Sequence, residues 1–146
     1  MRYRFLFVAV FSVIFVFGLW AGDRKFMYTT DSNDDGKPDQ WYNMQDGKIT
    51  YIEMDRNYDG KVDYKAEYNK DGKMETEEMD YNYDGKMDDF YYYDDDGILA
   101  REEIDSNFDG KIDIWIYLYK GIYIKKYEKD TNFDGKIDVV KDYDKD

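Results

Sequence analysis

Five short acidic segments concentrate the side chains of this sequence that could do chemistry. They read DSNDDGKPD from Asp31, DRNYDGKVD from Asp55, DYNYDGKMD from Asp80, DSNFDGKID from Asp105 and DTNFDGKID from Asp130. Each places side-chain oxygens at positions 1, 3, 5 and 9 of nine, a glycine at 6, and a lysine at 7 whose backbone carbonyl can add another oxygen. Hard oxygen donors at alternating positions suit a hard divalent cation, since calcium takes six to eight oxygens at about 2.3–2.6 Å. Position 8 is Pro38, Val62, Met87, Ile112 or Ile137, apolar in every copy and suited to anchoring the loop. Asp, Asn and Gly also make ordinary polar turns. Five copies that keep every oxygen position favour the ion over the plain turn.

Catalysis has little to stand on. There is no His and no Cys, and the serines are Ser12, Ser32 and Ser106, the last two inside acidic loops. Nucleophile–base arrangements are thereby excluded. The acids are spread evenly by the repeat, so no glycosidase-like carboxylate pair stands apart. The chain reads as a non-enzyme.

The nine-residue segments resemble the calcium loops of EF-hands and dockerins. They are more closely similar to the D-x-D-x-D-G-x-x-D loops carried on β-structure in integrin-type propellers and thrombospondin type 3 repeats. The likeness covers the loops and not the segments between them. It implies about five calcium ions, with side-chain ligands Asp31, Asn33, Asp35 and Asp39 in the first loop, and Asp55, Asn57, Asp59 and Asp63 in the second. Asp80, Asn82, Asp84 and Asp88 follow in the third, Asp105, Asn107, Asp109 and Asp113 in the fourth, and Asp130, Asn132, Asp134 and Asp138 in the fifth. Lys37, Lys61, Lys86, Lys111 and Lys136 would give carbonyls. An EF-hand expects a bidentate Glu at position 12, where this chain has Tyr42, Ala66, Tyr91, Ile116 and Lys141. Asp at position 9 must then ligate directly, with water completing the shell. Glu53, Glu78, Glu103 and Glu128, two residues before four of the loops, either reach a neighbouring ion or are strand residues that face solvent or pair with the position-7 lysines.

The elements that must hold these loops follow from the spacing. Loop starts lie 24, 25, 25 and 25 residues apart, so one supersecondary unit is repeated. Midway through each interval stands Asp46-Gly47, Asp71-Gly72, Asp96-Gly97 or Lys120-Gly121, a two-residue hairpin signal of type I′. The arms between are rich in Tyr, Ile, Trp and Val, as in Ile112 to Leu118. Residues 73–80 and 99–105 alone favour helix, but a glycine-interrupted interval of roughly 16 residues leaves no room for an EF-hand's two helices. The expectation is an all-β domain: a repeated antiparallel hairpin meander of nine or ten strands, forming a single sheet, sandwich or barrel, with the acidic loops along one edge. The tail Lys141–Asp146 follows closely on the last loop, so the final strand is expected to fray and the fifth site to be weaker. The first loop departs in carrying Asp34 where the others have Tyr or Phe.

Ahead of the repeats, Met1-Arg2-Tyr3-Arg4 leads into an apolar run from Phe5 to Trp20 and a polar turn at Ala21-Gly22-Asp23. This is a secretory layout, read as a signal helix over residues 1–21 that is either cleaved or kept as an anchor. Residues 22–146 form the five-repeat domain, exported to the periplasm, the cell surface or the medium. A cleaved signal leaves no membrane span in the mature chain. The absence of Cys excludes disulfides.

Net charge is −13, and loss of residues 1–21, which carry Arg2 and Arg4 and no acid, takes it to −15. Such a surface repels nucleic acid. Aromatic content of 20 % with one proline argues against disorder. The expected role is a calcium-stabilised structural or interaction module whose partners are calcium ions and a surface protein or glycan. Alternatives are a glycan or cell-wall binder that uses Trp41, Tyr92, Trp115 and Tyr117 as stacking platforms, and a calcium buffer.

Overall fold

A computed structural model describes residues 26–143 of the chain. The signal reading of residues 1–21 lies outside them. The described residues form ten strands: β1 Tyr28–Thr30, β2 Gln40–Gln45, β3 Lys48–Met54, β4 Tyr64–Tyr68, β5 Met74–Met79, β6 Asp89–Tyr93, β7 Leu99–Ile104, β8 Ile114–Tyr119, β9 Tyr123–Lys129 and β10 Val139–Asp142. They pair in chain order into one open antiparallel sheet, neither a sandwich nor a barrel. No helix occurs among the described residues. Residues 73–80 and 99–105 lie largely in strands β5 and β7, because pairing on both sides outweighs their local helix preference. The last strand pairs with β9 from Val139 to Asp142.

The turns divide into two kinds. Asp46-Gly47 and Lys120-Gly121 have positive φ at both residues, the type I′ conformation that matches strand twist. The turns at Gly72 and Gly97 are longer, with only the glycine at positive φ. There Asn69 and Asp94 accept backbone N–H bonds from residues 71 and 73, and 96 and 98, at 2.9–3.0 Å. A side chain that caps its own turn makes the wider loop stable, so two of the four expected two-residue turns are replaced. Next to each of these four turns the register slips by one residue, at Asn43/Met44, Glu67/Tyr68, Tyr92/Tyr93 and Tyr117/Leu118.

With one layer there is almost no apolar core. Among the described residues, the buried hydrophobic ones are Tyr51, Ile52 and Ala66. Cross-strand ladders and side-chain pairs on each face therefore carry a large share of the stability. Residues directly opposite share a face. One face carries the row Trp41, Glu53, Lys65, Glu78, Phe90, Glu103, Trp115 and Glu128. The other carries Ile52, Ala66, Glu77, Tyr91, Glu102, Ile116 and Tyr127.

Candidate functional site: the acidic loop edge

All five acidic segments connect an odd-numbered strand to the next even one, so they line one edge of the sheet while the glycine turns line the other. Two backbone bonds set them in place. At each base the N–H of position 9 donates to the strand residue just before position 1, as in Asp63 to Met54 at 2.9 Å and Asp88 to Met79 at 2.7 Å. Successive loops are tied by the N–H of position 1 to the carbonyl of position 9 in the loop before: Asp55 to Asp39, Asp80 to Asp63, Asp105 to Asp88 and Asp130 to Asp113, at 2.7–2.9 Å.

Within each loop the oxygens at positions 1, 3, 5 and 9 accept from the loop's own backbone. The position-1 aspartates take the glycine N–H at 2.6–2.8 Å. The asparagines at position 3 take the N–H of position 5 at 2.8–3.1 Å. The aspartates at position 5 take the lysine N–H at 2.9–3.0 Å. The position-9 aspartates take the N–H of position 2 at 2.8–2.9 Å. Position 2 often adds a side chain: the hydroxyls of Ser106 and Thr131 donate at 2.7 Å, the Ser32 hydroxyl reaches Asp39, and Arg56 Nε pairs with Asp63 at 2.5 Å. In the third loop position 2 is Tyr81, whose hydroxyl instead lies 3.4 Å from that of Tyr91. Burial there pushes the Asp88 carboxyl up, opposed by the N–H groups of Tyr81 and Asn82 and reinforced by the charges of Asp80 and Asp84. At the exposed end of the array the Thr131 hydroxyl and N–H hold Asp138 below the usual carboxylate range.

The donor set is all oxygen and suits calcium chemically, and each carboxylate retains free lone pairs. Among the described residues, however, no three acids converge closely enough to hold a metal ion together. The position-9 carboxylates face the N–H of position 2, while those of position 1 face the glycine. Acids of neighbouring loops do line common clefts. A cavity of about 110 Å³ between the first and second loops is bordered by Asp35, Asp39, Asp55 and Asp59, and one of about 20 Å³ between the fourth and fifth by Asp109, Asp113 and Asp130.

The four glutamates before the loops stay on the strand face. Glu53 accepts from the Tyr51 hydroxyl at 2.7 Å, Glu78 lies 3.4 Å from Lys65, Glu103 lies 3.4 Å from Arg101, and Glu128 lies 2.7 Å from Lys126. Lys61 turns to the next loop, donating to the Asp84 carbonyl at 3.1 Å. Trp41, Tyr92, Trp115 and Tyr117 lie on one face without a covering layer, but Arg101 stacks over Tyr92 at 4.0 Å and Lys126 over Tyr117 at 5.3 Å.

Position 4 is a feature the composition concealed. Tyr58, Tyr83, Phe108 and Phe133 have φ of 60–63°, a left-handed conformation that costs a bulky residue roughly 1–2 kcal/mol. All four are also exposed, Phe108 at 47 %. Only the recurrence of a glycine or asparagine-like need two residues before Gly60 and its counterparts could have signalled this. Phe108→Asn is predicted to stabilise the domain by about 0.5–1 kcal/mol in urea denaturation, because Asn tolerates this backbone. An unchanged or lower midpoint would show that the ring makes contacts outweighing the strain.

No protein-family model matches the chain, and no curated protein does. Among solved structures it is similar to part of a crystal structure of accessory secretory protein 1, 2 and 3 in Streptococcus pneumoniae, at 18 % identity and a TM-score of 0.45. That similarity covers 68 % of this chain and 18 % of the other.

Proposed function

We propose that residues 22–146 act as an exported calcium-binding structural or interaction module, stabilised by about five ions. The observation that supports this reading is the burial of eight loop aspartates on one edge: Asp39, Asp55, Asp63, Asp80, Asp88, Asp105, Asp113 and Asp130. Buried charges call for paired cations or metals. Among the described residues of these loops the side-chain ion pair is Arg56–Asp63. A divalent cation at each loop would compensate the rest. Asp at positions 1, 5 and 9 and Asn at position 3 would supply side-chain oxygens, and the position-7 lysine its carbonyl. Calcium binding then takes the stabilising part that disulfides play in other exported domains.

A glycan-binding role is the second reading. The exposed rings of Tyr58, Tyr83, Phe108 and Phe133 along the loop edge support it, whereas on the strand face Tyr92 and Tyr117 are already covered by Arg101 and Lys126.

Isothermal calorimetry of chelator-treated protein is expected to report about five calcium sites and much weaker heats with magnesium, which demands a tighter octahedral shell. Absence of calcium heat at millimolar concentration would reduce the loops to polar turns.

A further inference from the structure

The backbone contact between successive loops recurs at every junction of the array, and each junction has two unlike sides. The earlier loop gives the carbonyl of position 9 and the later loop the N–H of position 1, at 2.7–2.9 Å in all four. In the two central junctions the position-7 lysine also crosses over. Lys61 donates to the Asp84 carbonyl at 3.1 Å and passes beside Gly85, and Lys86 passes beside Gly110. Burial follows the junctions. Position 9 is buried where a loop follows, at Asp39, Asp63, Asp88 and Asp113, and position 1 where a loop precedes, at Asp55, Asp80, Asp105 and Asp130.

Among the described residues each end of the sheet leaves one side of this junction open. The Asp31 N–H has no loop before it and the Asp138 carbonyl none after it, so Asp31 is only half-buried and Asp138 is exposed, unlike their counterparts. Ile137 is 44 % exposed, where Pro38, Val62, Met87 and Ile112 at the same position are half-buried, and Val140 is 57 % exposed. Sheet edges are commonly blunted by a bulge or a proline, and repeat arrays by a polar capping unit. Strands β1 and β10 pair inward without a bulge and contain no proline, and their residues nearest the loops, Thr29, Thr30, Val139 and Val140, are all β-branched strand formers.

We propose that the two edges are the matching halves of one further junction, and that the protein binds a second copy of itself head to tail, β10 of one copy pairing antiparallel with β1 of the next. In every junction within the chain the residue after position 9 stands opposite the residue before position 1, as Gln40 does Met54. The same register sets Val139 opposite Thr30 and Val140 opposite Thr29 of the next copy, and brings the Asp31 N–H to the Asp138 carbonyl. Charge fits as well. In the first and last junctions the position-4 ring of the later loop, Tyr58 or Phe133, lines a cleft with the position-7 lysine of the earlier one, Lys37 or Lys111. Between copies that place falls to Asp34, the one acid at position 4, facing Lys136. Unlike edges that join do not close on themselves, so association is open-ended, and one strand pair with one loop junction makes it weak and concentration-dependent. The pairing belongs to the strand edges, and the calcium reading is tested apart from it by calorimetry.

Because the chain has no cysteine, single-cysteine chains can trap the register. Full-length Thr30→Cys and Val139→Cys proteins, one carrying a mass tag, are mixed in a glutathione redox buffer with nonionic detergent to shield the apolar run Phe5–Trp20, once with calcium and once with chelator. Directly opposite strand residues come within disulfide reach, so a covalent heterodimer is expected in at least one condition, at about tenfold the yield of Thr29→Cys with Val139→Cys, which face opposite sides of the sheet. Lys136→Glu in the Val139→Cys chain should lower the yield about fivefold, and Asp34→Lys in the other chain should restore it, a rescue in trans that misfolding of either variant would not give. Yield no higher than the Thr29→Cys control in both conditions overturns the second copy as the occupant of these edges. A predominance of Val139→Cys or Thr30→Cys homodimers overturns head-to-tail pairing in favour of like edges, and failure of the charge swap to restore the yield overturns the Asp34–Lys136 contact.

Discussion

Millimolar calcium is expected to raise the thermal midpoint of chelator-treated protein by about 20–30 °C, with magnesium giving little. One site filled at ten times its dissociation constant adds about 1.4 kcal/mol, and five such sites add roughly 7. In a domain of this size each kcal/mol moves the midpoint by a few degrees. The effect should be unusually visible here because, among the described residues, the sheet has three buried hydrophobic ones to set against its buried carboxylates. Loops on alternate connections lie roughly 10 Å apart, about one Debye length at physiological salt, so their charges repel without a counter-ion. Circular dichroism during a melt checks this, and equal midpoints with calcium and with chelator would rule out metal-coupled stability.

Asp80→Ala is expected to cost about 2–3 kcal/mol in urea denaturation under chelation, where no metal enters the comparison. Asp80 is 1 % exposed and accepts from the N–H of Gly85 at 2.7 Å and of Tyr83 at 2.6 Å. Removing the acceptor leaves two loop donors unsatisfied beside the sheet. Its N–H also joins Asp63 of the preceding loop at 2.9 Å, so disorder in one loop spreads to its neighbour. Asp134→Ala serves as the contrast. Asp134 lies in the exposed fifth loop and accepts from Lys136 N–H at 3.0 Å, so its loss should cost about 1 kcal/mol or less. If the two variants lose equal stability, burial of the position-1 aspartates is not what organises the loops.

Much of this architecture was legible in the residues. The 25-residue spacing, the nine-residue loops and the glycines between them are local signals, and strand alternation with turns at both ends can hardly build anything other than a meander. Register was not legible, because Phe90 to Tyr93 and Tyr51-Ile52 offer apolar side chains to both faces, and alternation alone cannot choose between one layer and two. The structure leaves the sheet open, half-covering both faces with Tyr, Glu and Lys pairs instead of a second layer.

The loop edge divides in the same way. Which oxygens stand at positions 1, 3, 5 and 9 is a matter of covalent order, and so is the glycine that lets the chain turn back on them. Which carboxylates become buried and how neighbouring loops share a cleft depend on ten strands held side by side. The two open edges belong wholly to that second category: Asp31 and Asp138 carry the same side chain as their buried counterparts, and only the place of their loops at the ends of the described sheet leaves them less covered. Spacing along a chain encodes local loops, whereas contact across a sheet arises from hydrogen-bond pairing between segments that carry no mark of one another.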